Sequence, residues 1–467
     1  MTVAALTPFA VQAQIGATAT IQGTVTDPSG AVVPGAEVTV VNLGTGAQVR
    51  QKTTGSGFYS IAPLEIGSYS LTVSASGFKK LVRYNIHLNG MQVLGLNLKL
   101  SIGSATQTVT VSTAPPPLET QDATLGAALQ NRVYTQLPLE MGSAGHADQQ
   151  RVTDFAALMP GVSANETHND ETDEPMVVNG QAHATEMYIE GIPFTFPGGQ
   201  GDPRLIWPAF GVQTVSQFQL KTSAFSAEYS GLDVENFNIK SGTNQIHGSV
   251  YDLTRNTAFD AWGFNPPQNA VTGAYYKPPE HMNEYGLDAG FPLVHNKLFL
   301  FGAFEGYRYS TVNPATYMSV PTPAEFSGDF SGTGVNIYDP TTETCTATTC
   351  TRSQFVYNGQ KNVIPPGEIS PVAQKLAQFW GNIHYANSNL VDNFVASYPT
   401  GLSNWDGSVR VDYHLSDKQT ITGILASGRQ GLVGSSSQSN NVGPFPYRTA
   451  KYYRPITHVG IIEDTYI

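Results

Sequence analysis

The stretch NIKSGTNQIHGSVYDLTRN, residues 238–256, marks a change in the chain. Before Gly242 the sequence mixes loop, helix and strand signals. After it, aromatic and aliphatic residues alternate with small and polar ones. Residues 408–426, SVRVDYHLSDKQTITGILA, show this second pattern most cleanly. Val409, Val411, Tyr413 and Leu415 fall on one face, and Ser408, Arg410, Asp412 and His414 on the other. Ser416 to Gln419 is a polar turn, after which Ile421, Gly423 and Leu425 resume the apolar face. A period of two is that of a strand with one apolar and one polar side. Apolar outside and charged inside suits a barrel in lipid around a wet lumen. A soluble antiparallel sheet alternates in the same way, so the local pattern leaves both open.

Loop lengths favour the barrel. Tyr285, Leu287, Ala289 and Phe291 share a face. The short turn at Pro292 to Asn296 then leads into Lys297-Leu298-Phe299-Leu300-Phe301, which is apolar on both faces. The turns at 292–296 and 416–419 are short, whereas the joins at 254–284 and 309–407 are long. Short turns at one rim and long loops at the other belong to an outer-membrane barrel. A structureless join of the second length is out of place in a compact domain.

Composition agrees. Hydrophobic residues make up 40% of the 467 and charged residues only 13%, where soluble domains carry about 25%. With 24 Lys and Arg against 36 Asp and Glu the net charge is -12. No basic excess exists to replace phosphate counterions, which argues against a nucleic-acid partner. No apolar run reaches the length of a transmembrane helix, and this leaves barrel strands untouched. Residues 1–14 read as a signal-peptide remnant, with Val11-Gln12-Ala13 fitting the small-residue rule before a cut. In an exported chain Cys345 and Cys350, in TTETCTATTCT, are candidates for a disulfide across a Thr-rich loop.

The front of the chain reads as short strands between turns. Asp27-Pro28-Ser29-Gly30 is a strong turn, Val38 and Val40 share a face, and so do Tyr69, Leu71 and Val73. Strands at such spacing imply a sandwich. Gly23-Thr24-Val25-Thr26-Asp27, Pro34-Gly35-Ala36, Gly57-Phe58-Tyr59, Gly67-Ser68-Tyr69 and Ser76-Gly77-Phe78 resemble the carboxypeptidase regulatory-like domain, a small transthyretin-like sandwich. Further on, Asn179-Gly180 is a hairpin signal, and Met187 to Glu190 and Val215 to Lys221 read as strands. Leu125, Leu129 and Val133 fit one helical face, and Arg151 to Leu158 fits a second helix ended by Pro160-Gly161. Asn179-Gly180-Gln181, Tyr188 to Ile192, Glu228-Tyr229-Ser230-Gly231 and Ile239 to Asn244 resemble the plug domain of TonB-dependent outer-membrane receptors. The regulatory-like domain in front places the resemblance in the Oar-like branch.

The organisation expected is therefore mainly β. A signal-peptide remnant covers 1–14, a regulatory-like β-sandwich 18–100 and an α+β plug 101–244. The first strands of a large antiparallel transmembrane β-barrel, incomplete in this chain, cover 245–467. The chain then reads as a fragment of a longer receptor in the cell outer membrane. The resemblance implies uptake of an extracellular ligand, carbohydrate or peptide, gated by the plug. A TonB-like periplasmic energy-coupling protein drives it, and outer-membrane lipid surrounds the wall. Thr108, Val109, Thr110 and Val111 have the β-pairing character that a TonB contact needs. The alternative is an exported non-enzymatic adhesion or carbohydrate-binding β-domain protein.

No catalytic, cofactor-binding or metal residues are assigned, and the chain is read as no enzyme. His281-Met282-Asn283-Glu284 has an HxxE spacing, with His414 downstream, but no protease fold surrounds it. Glu166 to Glu174 is acidic enough for Ca²⁺ yet lacks the EF-hand order. No nucleophile–base set or nucleotide-binding glycine loop appears.

Overall fold

The computed structural model describes residues 18–104, 107–111, 125–135, 156, 158–163, 177–182, 185–194, 210–223, 229, 233–262, 264, 266, 268–269, 272–277, 279–379, 383–429, 431–433 and 456–466. Three β bodies follow one another along the chain.

The first is a sandwich built from β1 (Ala19–Thr26), β2 (Glu37–Asn42), β3 (Gln48–Lys52), β4 (Phe58–Leu64), β5 (Gly67–Ser74), β6 (Lys80–Leu88), β7 (Val93–Gly95), β8 (Leu98–Lys99) and β9 (Thr108–Val111). One sheet runs β4-β1-β7, with β8 also on β1, and the other β3-β2-β5-β6-β9. Alternate residues face inward, as the period of two requires: Ile21 and Val25 from β1 meet Val38, Val40, Leu71 and Val73 across the core. The Asp27 turn forms as read, with its carboxylate accepting from the Ser29 and Ala31 N–H groups. The Tyr59 hydroxyl donates to the Leu96 carbonyl at 2.7 Å, satisfying a polar group inside the core.

The second body is a five-stranded sheet in the order β10-β16-β17-β14-β15. Its members are β10 (Leu125–Gln130), β14 (Thr185–Ile189), β15 (Ile192–Pro193), β16 (Val215–Ser223) and β17 (Asp233–Ile239). Beside it lies a small sheet of β11 (Val162–Ser163), β12 (Val177–Val178) and β13 (Gln181–Ala182). Asn179 and Gly180, at φ 50° and 81°, make the β12–β13 turn. The helical face expected through Leu125, Leu129 and Val133 is corrected here. Residues 125–130 are a strand antiparallel to β16, and only α1 (Asn131–Tyr134) is helical. Ala127 and Leu129 pack on the core of this body, so the period realised is two. Gly126 permits the pairing, because a Cβ there would lie 2.4 Å from the Leu220 carbonyl oxygen. Most of the second expected helix, and the acidic run at 166–174, lie outside the described residues.

The third body is a wall: an antiparallel sheet in the order β18-β19-β20-β25-β26-β28. The strands are β18 (His247–Asn256), β19 (Glu280–Val294), β20 (Leu298–Met318), β25 (Phe394–Ser416), β26 (Gln419–Arg429) and β28 (Ile456–Tyr466), with β27 (Leu432–Val433) on β25. Between β20 and β25 stands a loop region. It carries α2 (Pro323–Phe326), the hairpins β21–β22 (Thr344–Cys345, Cys350–Thr351) and β23–β24 (Val356–Tyr357, Gln360–Lys361), and α3 (Pro371–Phe379). Strands run further into both expected joins than the alternation had indicated: β19 begins at Glu280, β20 runs to Met318 and β25 begins at Phe394. Backbone pairing between β20 and β25 carries them through segments with mixed side chains. The sheet is open at β18 and β28 among the described residues.

Gly242 is the hinge point between the second body and the wall. It follows β17 and crosses directly over the wall backbone. A Cβ on Gly242 would meet the Leu300 oxygen at 2.6 Å and the Phe291 oxygen at 2.9 Å. Beyond it, Asn244 and Asn296 exchange hydrogen bonds, side chain to side chain at 2.7 Å and side chain to N–H at 2.8 Å. This pins the crossing to the β19–β20 turn. Gly242→Ala is expected to lower stability by about 1–3 kcal/mol through backbone overpacking, read from denaturant unfolding of the detergent-solubilised chain. An unchanged midpoint contradicts the close crossing.

Candidate functional site

The wall separates its side chains by parity, and each face meets a different medium. Val250, Leu287, Val409, Leu425 and Ile462 point away from the second body and are exposed; Val250 and Ile462 are each 85% exposed. In water such a band is costly, whereas in hydrocarbon it is ordinary. The opposite face is buried: Glu284, Asp288, Glu305, Asp406, Ser408, Arg410, Asp412, His414 and Thr422. Phe299 and Phe301 are fully buried there too, which explains why β20 reads as apolar on both faces. Ile424, Ala426, Val459 and Ile461 share one apolar cluster with Phe218, Leu220, Phe237 and Ile239 of the second body.

Arg410 is the centre of the polar contact. Its Nη1 donates to the Glu190 carboxylate at 2.6 Å and to the Ile239 carbonyl at 3.1 Å. Its Nε donates to Asp412 at 3.0 Å. Glu190 also accepts from the Ile239 N–H at 2.6 Å and from Asn238 Nδ2 at 3.2 Å. The Thr422 hydroxyl donates to Asp412 at 2.8 Å. A guanidinium presents donors in a fixed fork, so one side chain bridges the wall and two strands of the insert. Glu190 is set for this by backbone geometry: it leaves β14 at φ 53°, followed by Gly191 at φ 74°.

A second contact lies along the same wall. Gly211 donates its N–H to Asp406 at 2.8 Å. A Cβ on Gly211 would come within 2.7 Å of both Asp406 Oδ1 and Glu305 Oε2, so any larger residue would push these carboxylates aside. The Tyr251 hydroxyl donates to Glu305 at 2.7 Å. Lys240 Nζ stands 3.6 Å from Asp288.

The sandwich closes one end of this assembly. The Gly90 N–H donates to Gln217 Oε1 at 3.0 Å, Gln217 Nε2 to Asn89 Oδ1 at 2.6 Å, and Lys221 Nζ to the Met91 carbonyl at 3.0 Å. Met91 packs with Tyr188 and Val234. On the wall side, the Asn244 N–H donates to the Gly44 carbonyl at 2.9 Å and its Nδ2 to the Thr45 carbonyl at 3.0 Å. Glu65 is half-buried in the cleft between the sandwich and the wall. Burial, then Asp412, Glu190 and Glu463, push its carboxyl up to about 7, with Arg410 opposing.

The residues singled out in the sequence are dispersed. Thr108–Val111 is β9, the edge strand of the sandwich, parallel to Lys80–Arg83 of β6. Cys345 and Cys350 are joined in a disulfide in the loop region, beside Glu343 and its Arg352 ion pair. His281 and Glu284 lie in β19 and not in a loop. Three residues apart on a strand, they take opposite faces, His281 exposed and Glu284 buried, so the HxxE spacing builds no ligand pair. Glu190 was not anticipated. Its signal was a charged residue directly before Gly191 at the end of an apolar strand.

A model of the outer membrane beta barrel domain matches residues 238–467, and one of the carboxypeptidase regulatory-like domain matches residues 20–101. No curated protein matches the chain. Among solved structures, a siderophore receptor from Acinetobacter baumannii is 15% identical, with 69% of this chain and 34% of that chain covered and a TM-score of 0.36. A ferric enterobactin receptor mutant from Pseudomonas aeruginosa is 12% identical, covers 69% and 35%, and has a TM-score of 0.35. A putative carbohydrate binding protein from Bacteroides uniformis is 17% identical over 18% of this chain and 41% of its own, with a TM-score of 0.16. The chain spans about a third of the length of the two receptors.

Residues 238–467 are an outer-membrane β-barrel domain, with a regulatory-like β domain in front of it. An insert sheet packs on the inner face of the wall.

Two outcomes are expected at this interface. Arg410→Met leaves Glu190 and Asp412 buried without their cation and lowers stability by about 3–5 kcal/mol; the double change Glu190→Gln with Arg410→Met recovers part of it in an unfolding cycle. Glu65 has a raised carboxyl when the sandwich is docked, so its contribution is fully present below its free value and is lost as pH rises through about 7. The thermal midpoint of the wild-type chain should therefore fall between pH 6 and roughly pH 8 relative to Glu65→Gln. Parallel curves would show that Glu65 does not report docking.

Proposed function

We propose that this chain forms the gate and part of the wall of an outer-membrane uptake receptor of the Oar-like branch. An extracellular ligand, carbohydrate or peptide, meets the loop region between β20 and β25. The insert blocks the lumen, and a TonB-like periplasmic protein supplies the pull that loosens it. The reading is non-enzymatic: the task is gating, and no bond in the ligand is made or broken. The domain limits expected from sequence, a plug at 101–244 and a wall from 245, belong to the same proposal.

One observation carries the reading: the insert and the wall are joined mainly through side chains and not through a shared sheet. Arg410, Asp406 and Ser408 hold the insert by hydrogen bonds and ion pairs, while, among the described residues, the wall strands pair only among themselves. Contacts of this kind exchange for water when a hydrated path opens, at a net cost of about 0.5–1.5 kcal/mol per neutral bond and about 1.5–3 kcal/mol per bond to a charged group. Backbone ladders between wall and insert would resist in concert. An insert meant to move is better held in the first way.

Thr108–Val111 is the proposed grip for the periplasmic partner, by strand addition. The purified periplasmic domain of a TonB-type protein should be retained by the detergent-solubilised chain. Val109→Pro removes an N–H and stiffens the segment, and should lower retention at least about tenfold. Retention equal in wild type and variant would move the grip elsewhere, and none by wild type would remove the coupling reading.

A further inference from the structure

The sandwich is basic in an acidic chain. Residues 18–111 hold six Lys and Arg against three Asp and Glu, while the whole chain carries a net charge of -12. Four of the six stand at one corner. The Lys79 N–H donates to the Ser101 carbonyl at 2.8 Å, Phe78 bridges to Ile102, and the Gly103 N–H donates to the Gly77 carbonyl at 3.1 Å. Residues 77–79 and 101–103 are therefore neighbouring segments, about 4.8 Å apart. This sets Lys79 and Lys80 beside Lys99, with Arg83 following on β6. The Lys79 stem lies over Gly103, where a Cβ would meet it at 2.7 Å. Lys80 and Lys99 are exposed, and so is Ile102 among them.

None of these four cations has an ion pair among the described residues. The three acids of the sandwich are committed. Glu65 lines the cleft at the other end. Glu37 lies across β5 from β6, in register with Lys52. The Asp27 carboxylate accepts from Ser29 and Ala31 within its own turn. Like charges gathered in this way repel one another until an anion joins them. We propose that this corner binds a carboxylate-bearing polymer of the periplasm, the peptide-cross-linked glycan of the cell wall.

Position and shape select this occupant. β6 begins at Lys80 and ends at Leu88, next to the Asn89–Met91 contact with the insert. At about 3.3 Å per residue the corner lies roughly 25 Å from that contact. Gly46, at the contacted end, lies against Asn296 in the short β19–β20 turn, and short turns mark the periplasmic rim. The corner is thus at the end of the sandwich turned away from the wall and its headgroups. It is an exposed surface, suited to many weak contacts with a repeating polymer. A folded protein partner would call for an apolar centre, for which Ile102 stands alone. The rest of the chain carries the negative excess and repels the same polymer.

The test uses the full chain in detergent and, as probe, cell-wall sacculi freed of protein. The chain should sediment with them at low salt and stay in solution at about 1 M salt, where the Debye length is about 3 Å. The triple change Lys79→Gln, Lys80→Gln and Lys99→Gln should weaken binding at least about tenfold, since each surface cation against an anionic layer is equivalent to about fivefold. No sedimentation by the wild-type chain, or equal binding by the variant, overturns the proposal. Should the variant fail to fold, the wild-type chain decides alone: sacculi whose carboxylates have been converted to amides should no longer carry it down, and retained binding overturns the proposal. If anionic phospholipid added to the micelle abolishes sedimentation, headgroups hold the corner and the proposal is wrong. These outcomes leave retention of the TonB-type domain untouched, so the coupling reading stands or falls separately.

Discussion

The Arg410 guanidinium is the point on which this structure turns. A buried cation must find partners, because taking it from water costs several kcal/mol. Arg410 finds them in Glu190, Asp412 and the Ile239 carbonyl, and so binds β25 of the wall to the ends of β14 and β17 in the insert. It meets those partners because it faces inward. The same parity that turns Arg410 inward turns Val409 and Val411 outward. One alternation thus fixes both the medium outside the wall and the attachment inside it.

The sandwich extends this arrangement. Its turns at Gly44–Thr45 and Asn89–Met91 reach two different bodies, the wall junction and the insert sheet. Both contacts are made largely by backbone groups and amide side chains, with the Lys221 ammonium and the Met91 side chain added at the second. Such groups keep good partners in water as well, so docking is modest in energy and specific in direction. Glu65 adds a charge-sensitive element in the same cleft. Burial and the carboxylates of Asp412, Glu190 and Glu463 raise its carboxyl, and the Arg410 guanidinium opposes them.

How much of this was readable depends on whether the signal was local. The turn at Asp27–Gly30 and the hairpin at Asn179-Gly180 were legible, because each is decided by two or three adjacent residues. The inward face of β25 was legible for the same reason, since parity is a local property. Leu125, Leu129 and Val133 misled because i, i+4, i+8 spacing suits a helix. The deciding fact was distant: the free edge of β16, on which Gly126 must lie flat. The partner of Arg410 was out of reach, since Glu190 lies 220 positions away in sequence. The full reach of β20 and β25 was hidden too, because each strand is sustained by its neighbour where its own side chains are mixed.

The length of that pair bears on where the molecule meets its surroundings. β20 has 21 residues and β25 has 23, while crossing the hydrocarbon takes about 9–11 tilted residues. At roughly 3.3 Å per residue and a tilt near 45°, such strands rise about 50 Å along the membrane normal. The apolar band accounts for about 25 Å of this. The remaining height, about 25 Å divided between the two rims, carries the disulfide hairpin and α3 beyond the lipid tails on strands paired to one another.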